Sequence, residues 1–268
     1  MTQRVLISGG ASGLGRELAR AYAERGAKVA IADIHAERLA EVQAELGAPH
    51  LALELDVTDP AQWQTAVARV CAEFGGLDLL VNNAGIATGG PVEQESAQAW
   101  RRILDINLLG VVYGCQAALA ALRESRGAIL NVASMAGLIH PPMMGSYNAA
   151  KAAVVAYSET LLFELADDGI AVHVLCPGFF RTNLHESLPP ESDAMRAVLE
   201  RIFDRAKLSA TDVARAAVAG VDSGQHLILS HPEGRAAHRI KRLFPSTLYR
   251  KLMRKQTAGL VRAWSRPA

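Results

Sequence analysis

Hydrophobic and polar positions along this chain follow two rhythms, and the rhythm switches many times. Short apolar runs, most of them followed within two residues by Gly, Asp, Asn, Ser or Pro, occur at residues 5–7, 28–33, 50–56, 77–81, 128–132, 171–175 and 226–230. Between them, apolar residues recur every three or four positions, at 14–25, 36–46, 96–122, 145–167 and 211–221. An apolar run bounded by turn residues predicts a buried strand, and the longer spacing predicts an amphipathic helix. A further helix is expected after Thr58, Asp59 and Pro60, a polar cap with proline in the first turn, running to about Phe74. Residues 189–206 also read as helical, within an insertion spanning 183–206.

Strands separated by helices imply βαβ units and a mainly parallel sheet covered on both faces. With right-handed crossovers this gives an α/β fold, a doubly wound sheet of the Rossmann type, followed by a C-terminal helical extension. The expected division is residues 1–230 for the α/β unit and 231–268 for the extension. No linker, low-complexity segment or repeat beyond the βα period interrupts the first part.

Composition narrows the picture further. Of 268 residues, 50 % are hydrophobic and 21 % charged, which excludes a disordered chain, a collagen-like fibre and a small disulfide scaffold. Cys71, Cys115 and Cys176 are scattered and odd in number, as expected of reduced, packed thiols. No apolar run reaches the roughly 18 residues that span a bilayer, and residues 1–8 are too short for a signal peptide. A cytoplasmic location is therefore expected. The net charge of +1 conceals an asymmetry: residues 231–268 hold ten Lys and Arg against one acid, Glu233, a charge of +9. The remainder, with 18 bases and 26 acids, carries −8. Nucleic-acid binding by the body is not expected. In the extension Leu248, Tyr249, Leu252, Met253, Leu260 and Trp264 recur at helical spacing, with Arg250, Lys251, Arg254 and Lys255 between them. Such a basic amphipathic helix could lie on anionic lipid, cover the mouth of a site, or pack on the acidic body.

The first βα turn runs from Ser8 through Gly9, Gly10, Ser12, Gly13 and Leu14 to Gly15. Glycines permit the tight turn and close approach of a phosphate, and the following helix offers free N–H groups and a positive dipole end. A P-loop is the rival reading, but Arg16 and Glu17 stand where it needs Lys and Ser or Thr. Asp33 ends the second strand 18 residues after Gly15. A carboxylate there can accept from both ribose hydroxyls and would repel a 2′-phosphate; it can also cap the next helix. Tyr147 and Lys151 are one helical turn apart. A phenol of pKa about 10 is a poor proton donor or acceptor at neutral pH. A nearby ammonium is expected to lower that value and let Tyr147 exchange a proton with a substrate oxygen. His140, His173, His226 and His231 lack metal-ligand spacing, so no metal is expected.

Several motifs in register make residues 3–230 resemble the short-chain dehydrogenase/reductase family. The family's glycine motif matches Ser8, Gly9, Gly13, Leu14 and Gly15, with serine in place of threonine. Its acid–apolar pair at the adenine pocket matches Asp56 and Val57. Its Asn-Asn-Ala-Gly stretch matches Asn82, Asn83, Ala84 and Gly85, and its helix asparagine matches Asn107. Its serine matches Ser134, 13 residues before Tyr147, and its Pro-Gly-x3-Thr matches Pro177, Gly178 and Thr182.

The resemblance implies roles for these residues. Tyr147 is the general acid/base, Ser134 donates to the carbonyl oxygen, and Lys151 also binds the nicotinamide ribose. Asn107 holds a water leading to Lys151. The backbone at Asn83, Ala84 and Gly85 faces the cofactor, while Phe180 and Thr182 fix the carboxamide beside Pro177 and Gly178. Ser12 and Ile34 sit where NADP-using members often place Arg or Lys, which with Asp33 favours NAD; Arg38 is the one nearby base against this. Met135, Leu138, Ile139, Met143, Met144 and Phe179, with 183–206 as a lid, suggest an apolar substrate. The implied activity is an NAD(P)-dependent alcohol dehydrogenase or carbonyl reductase. A silent cofactor-sensing or scaffolding protein is the alternative, and a third reading makes the extension a tether for an enzyme of lipid-derived ketones or aldehydes. A homodimer is expected through helices 96–122 and 145–167, while the extension after the last strand stands against a tetramer.

Overall fold

The computed structural model describes residues 2–181 and 206–264, and within them seven strands form one parallel sheet in the order 3-2-1-4-5-6-7. The strands are β1 (Arg4–Ser8), β2 (Lys28–Asp33), β3 (Leu51–Glu54), β4 (Leu79–Asn82), β5 (Ala128–Val132), β6 (Ala171–Leu175) and β7 (Leu227–Ile228). The helices are α1 (Gly13–Glu24), α2 (Ala36–Leu46), α3 (Pro60–Phe74), α4 (Ala97–Leu104), α5 (Gly110–Ser125), α6 (Ala136–Ile139), α7 (Gly145–Glu164), α8 (Ala210–Asp222), α9 (Pro232–Leu243) and α10 (Ser246–Trp264).

Two cores sandwich the sheet. In β1, Val5 and Ile7 point toward α1, α2 and α8, with Leu18, Tyr22, Val42 and Val213. Leu6 points the other way, toward Trp63 of α3, Cys115 of α5 and Val154 of α7. Because successive side chains face opposite cores, a strand buried on both sides is apolar at nearly every position; the buried Asn82, Asn131 and His173 are exceptions, each hydrogen-bonded. The chain leaves β1 toward β2 and β3, then crosses back to β4. The crevice between the carboxyl ends of β1 and β4 is the switch point where open α/β sheets bind ligands.

The predicted cap of α3 is present. The Asp59 carboxylate accepts from the Ala61 N–H at 2.8 Å and Pro60 occupies the first turn. Edge strands are shorter than the apolar runs suggested: 50–56 contracts to Leu51–Glu54 and 226–230 to Leu227–Ile228. Each has a neighbour on one side only, and Asp56 bends the chain away by accepting from the Thr58 N–H and hydroxyl.

The stretch read as 96–122 is one continuous helix, Ala97–Ser125, in which α4 and α5 join through a π-helical turn, Asp105–Leu109. Contrary to the sequence expectation, this helix is long and apolar enough to cross a bilayer. Asn107, Gly110, Gly114 and Gln116 break up its apolar run and hid that property. In the fold it packs against α3, β4 and α7. The insertion 183–206 lies outside the described residues, apart from Ala206.

The extension forms α9 and α10 and is fastened to α6. Lys241 Nζ donates to the Leu138 carbonyl at 2.5 Å and to His140 Nδ1 at 2.8 Å, and the Tyr249 hydroxyl donates to the Ile139 carbonyl. At Gly234 a Cβ would lie 2.7 Å from Met135 Sδ, so α9 sits directly on the start of α6.

Candidate active site

The turns after β1 and β4 are locked together. The buried Ser8 hydroxyl accepts from the Asn83 and Ala84 N–H groups at 3.1 and 3.2 Å, and the Asn83 amide donates to the Ser8 and Gly9 carbonyls, each at 3.0 Å. Gly9 has φ +64°, and a Cβ there would fall 2.8 Å from Ala84 Cα. On Gly15 it would fall 2.0 Å from the Gly9 carbonyl oxygen. Neither position admits another residue.

The start of α1 is bare. Ser12 stands at its N-cap without a capping bond, and no acid lies in the first turn. The first-turn N–H groups and the helix dipole therefore suit a diphosphate. Asp33 accepts from the Ala11 and His35 N–H groups, each at 3.2 Å, and keeps further lone pairs outward; Ile34 beside it is 63 % exposed. Next to Ser12 and Gly13 a groove of about 460 Å³ is bordered by Arg16, Arg38 and Glu41. Arg16 is paired with Glu45. Val57 is buried under Gly110, where a Cβ would lie 3.0 Å from its Cγ2. Together the glycine cradle, the uncapped helix and Asp33 fit the diphosphate and ribose of a dinucleotide.

Asn107 is buried in the π-helical turn, its Oδ1 accepting from the Ile86 N–H at 2.8 Å and its Nδ2 donating to the Ile86 carbonyl at 2.9 Å. It converges with Lys151 on Gly85: a Cβ there would be 3.2 Å from Asn107 Oδ1 and 3.5 Å from Lys151 Nζ. Ser134 follows β5, and its Oγ accepts from the Ala136 N–H at 3.1 Å as α6 begins. It lines the same cavity as Tyr147, close enough to act on the phenol's proton affinity. Lys151, one turn along α7, donates to the Val132 carbonyl at 2.9 Å, with Nζ 5.9 Å from the centre of the Tyr147 ring. The α7 start is held by Glu95, which accepts from the Ser146 N–H at 3.0 Å and hydroxyl at 2.6 Å.

Electrostatics here correct the sequence argument. Burial pushes the Tyr147 phenol up to about 12, with the Ser134 side chain pulling the other way. Burial also pushes Lys151 down to about 8. Desolvation outweighs the expected pull of the ammonium on the phenol, because both side chains are almost wholly buried and each charged form loses its water. Cys176, buried beside them, is likewise held neutral, up at about 12.

Ser134 and Tyr147 line a cavity of about 1040 Å³. Its apolar walls come from Met144, Phe179 and Phe180 of the body and from Ile240, Leu252 and Met253 of α9 and α10. The turn at Pro177 is tied in by the Met135 N–H, which donates to the Pro177 carbonyl at 2.9 Å. Thr182 lies outside the described residues.

One residue in this region was missed as a site residue in the sequence. His231, buried at the start of α9, accepts from the Gly178 N–H on Nδ1 at 3.0 Å and donates from Nε2 to the Phe179 carbonyl at 3.1 Å. Those two bonds assign the neutral tautomer, and the Ser230 hydroxyl also reaches Nδ1 at 2.9 Å. A Cβ at Gly178 would lie 3.0 Å from the imidazole, which explains the glycine. The signal lay in strand register: Leu175 pairs with Ile228, so three residues further on Gly178 faces His231.

Comparison with known proteins agrees with this arrangement. The profile of the short chain dehydrogenases matches residues 3–193. A 3-alpha-(or 20-beta)-hydroxysteroid dehydrogenase of Mycobacterium tuberculosis is 39 % identical over 205 residues, covering 76 % of this chain and 78 % of that protein. A 2,5-dichloro-2,5-cyclohexadiene-1,4-diol dehydrogenase of Sphingobium indicum is 40 % identical over 190 residues, 69 % of this chain and 76 % of that one. The crystal structure of a short-chain dehydrogenase/reductase from Burkholderia phymatum in complex with NAD superimposes with a TM-score of 0.85 at 30 % identity, covering 100 % of this chain and 98 % of that one. With the glycine cradle and the serine, tyrosine and lysine all in register, the chain belongs to the short-chain dehydrogenase family of nicotinamide-dependent oxidoreductases.

Proposed function

We propose that the protein interconverts apolar alcohols and their ketones or aldehydes, using NAD(H) in preference to NADP(H). The observation that carries this reading is that Ser134 and Tyr147 share the wall of a large apolar cavity, with Lys151 one turn behind. Bound nicotinamide would supply or accept the hydride. In reduction, the Ser134 and Tyr147 hydroxyls donate to the carbonyl oxygen, and Tyr147 releases its proton as negative charge builds there. A phenol held up at about 12 is neutral at physiological pH, the state needed for this acid role. The Lys151 ammonium then faces the phenolate. Oxidation runs the steps backward, with Tyr147 as base. Asn107 holds the Ile86 backbone and so fixes the neighbouring Gly85, which lies beside Lys151.

Asp33 supports the cofactor preference, since its carboxylate would face a dianionic 2′-phosphate, while Arg16 is already paired. Residues 1–230 would carry cofactor and chemistry, and 231–268 would complete the substrate wall. Two copies would pair through Ala97–Ser125 and α7, where Tyr113 and Tyr157 are half-buried and Phe163 is 78 % exposed; a monomer at micromolar concentration in light scattering would refute this. The activity itself is tested by NAD-linked oxidation across alcohols graded in chain length and ring number. Turnover should rise with apolar bulk. Cofactor binding without turnover on any of them would instead identify a silent cofactor-sensing protein.

A further inference from the structure

Three large apolar side chains cluster where α9 turns into α10. Leu243 is 75 % exposed, Phe244 51 % and Leu248 39 %. Exposed apolar residues are ordinarily scattered singly, so three within six positions on one turn form a patch that calls for a partner. Basic residues flank it along both helices: Arg239, Arg242, Arg250, Lys251, Arg254 and Lys255 are all exposed. Among the described residues none of the six is paired with a carboxylate. The patch is continuous with the cavity wall. Leu243 lies one helical turn beyond Ile240, and Leu248 one turn before Leu252, both cavity residues. The bonds from Lys241 and Tyr249 to α6 hold this turn in place without using the patch.

We propose that the α9–α10 turn docks on an anionic lipid bilayer, with Leu243, Phe244 and Leu248 entering the boundary between headgroups and acyl chains and the flanking basic residues meeting the lipid phosphates. Apolar substrate then passes between bilayer and cavity along α9 and α10; this second half rests on the apolar-substrate reading above, and the docking half does not. An apolar tip between cationic flanks is the signature of an interfacial segment. A nucleic acid would engage the cations through its phosphates but offers the three apolar tips no burial. A second copy docked face to face would bring two sets of cations together.

The test is co-sedimentation of the full-length protein with vesicles of phosphatidylcholine alone and of phosphatidylcholine mixed with phosphatidylglycerol. Wild type should bind the mixed vesicles and be released by salt, as the screening length falls from about 10 Å at 0.1 M to about 3 Å at 1 M. Phe244→Asp should weaken binding about tenfold or more. Arg250→Gln with Lys251→Gln should weaken it about 25-fold, from roughly fivefold per charge. Both variants alter exposed side chains, so their thermal unfolding midpoints should match wild type. Absence of binding to mixed vesicles at low salt, or wild-type binding by Phe244→Asp, overturns the proposal. So does capture by duplex DNA that is tighter than by vesicles and indifferent to Phe244→Asp. Turnover of apolar alcohols without vesicle binding refutes docking and leaves the substrate reading standing. Vesicle binding without such turnover does the reverse.

Discussion

Replacing His231 with alanine isolates the role of the turn at Pro177–Phe180. The substitution strips an acceptor from the Gly178 N–H and a donor from the Phe179 carbonyl, bonds of 3.0 and 3.1 Å. Each such bond nets about 0.5–1.5 kcal/mol, and a group left buried and unpaired costs about 1–3 kcal/mol. Gly178 and Phe179 are not fully buried, so water recovers part of that. A loss of about 2 kcal/mol of stability follows, and part of it appears as looseness of the turn. The bond from the Met135 N–H to the Pro177 carbonyl remains, as does the whole glycine cradle after β1. The NADH dissociation constant should therefore rise about tenfold, equivalent to about 1.4 kcal/mol, while that of ADP-ribose, which lacks the nicotinamide, stays within twofold of wild type. His231→Asn returns an acceptor near the Nδ1 position and should recover part of the NADH affinity. Equal weakening of both ligands, or a folded alanine variant with wild-type NADH affinity, would refute the positioning role.

The same contact carries a pH dependence of defined sign. Burial lowers the His231 pKa from the usual 6.5, against raising contributions from the Phe179 carbonyl and Glu233 and a lowering one from Arg235. Above 6.5 the imidazole is neutral in both folded and unfolded chains, and the bond from Gly178 is fully present. As pH falls below 6.5 the unfolded chain takes up the proton first, so stability declines. Below the folded value Nδ1 itself carries a proton and opposes the Gly178 N–H. His50, His140, His173 and His238 are lowered as well, so melting temperature alone does not isolate His231. The ratio of NADH to ADP-ribose affinity does, and it should fall with acidification in wild type and stay flat in His231→Ala.

Tyr147→Phe should keep NADH affinity and lose on the order of 10²–10⁴ in turnover, the worth of general acid–base catalysis; near-wild-type steady-state rates in the folded variant would defeat the mechanism. Oxidation, which needs the Tyr147 phenolate, should quicken as pH rises toward about 12, and reduction should decline above the Lys151 value of about 8; parallel pH profiles for both directions would contradict this assignment. Asp33→Ala should narrow the difference between NAD and NADP dissociation constants, and equal constants in wild type would remove the basis for the preference. Deleting 246–268 takes away Leu252 and Met253 from the cavity wall, so KM for bulky apolar alcohols should shift more than NADH affinity; an unchanged KM would place the substrate elsewhere.

What could be read from the sequence depended on whether the determinant was local. The apolar runs marked β1, β2, β4, β5 and β6 because each is buried by helices on both faces, a property every residue of the strand must satisfy. At the edges the same rule misled: Leu55 is buried in the core although β3 ends at Glu54, so its hydrophobicity reports packing rather than pairing. The spacing of Tyr147 and Lys151 was legible as one turn of one helix, whereas Ser134 and Asn107 rested on resemblance, since only the fold brings β5, the π-helical turn and α7 together. His231 required the parallel register of β6 and β7, a pairing between residues 53 apart. The phenol exposed a different boundary. Sequence shows which charge lies near Tyr147 but not how much water both have lost, and desolvation decides the direction of the shift. The extension follows the same logic. Its amphipathic spacing announced a helix, yet Leu248 and Leu252 share that spacing while one faces outward and the other lines the cavity. Which apolar residue is covered is decided by the fastening of Lys241 and Tyr249 to α6, and that fastening leaves the Leu243–Leu248 turn uncovered.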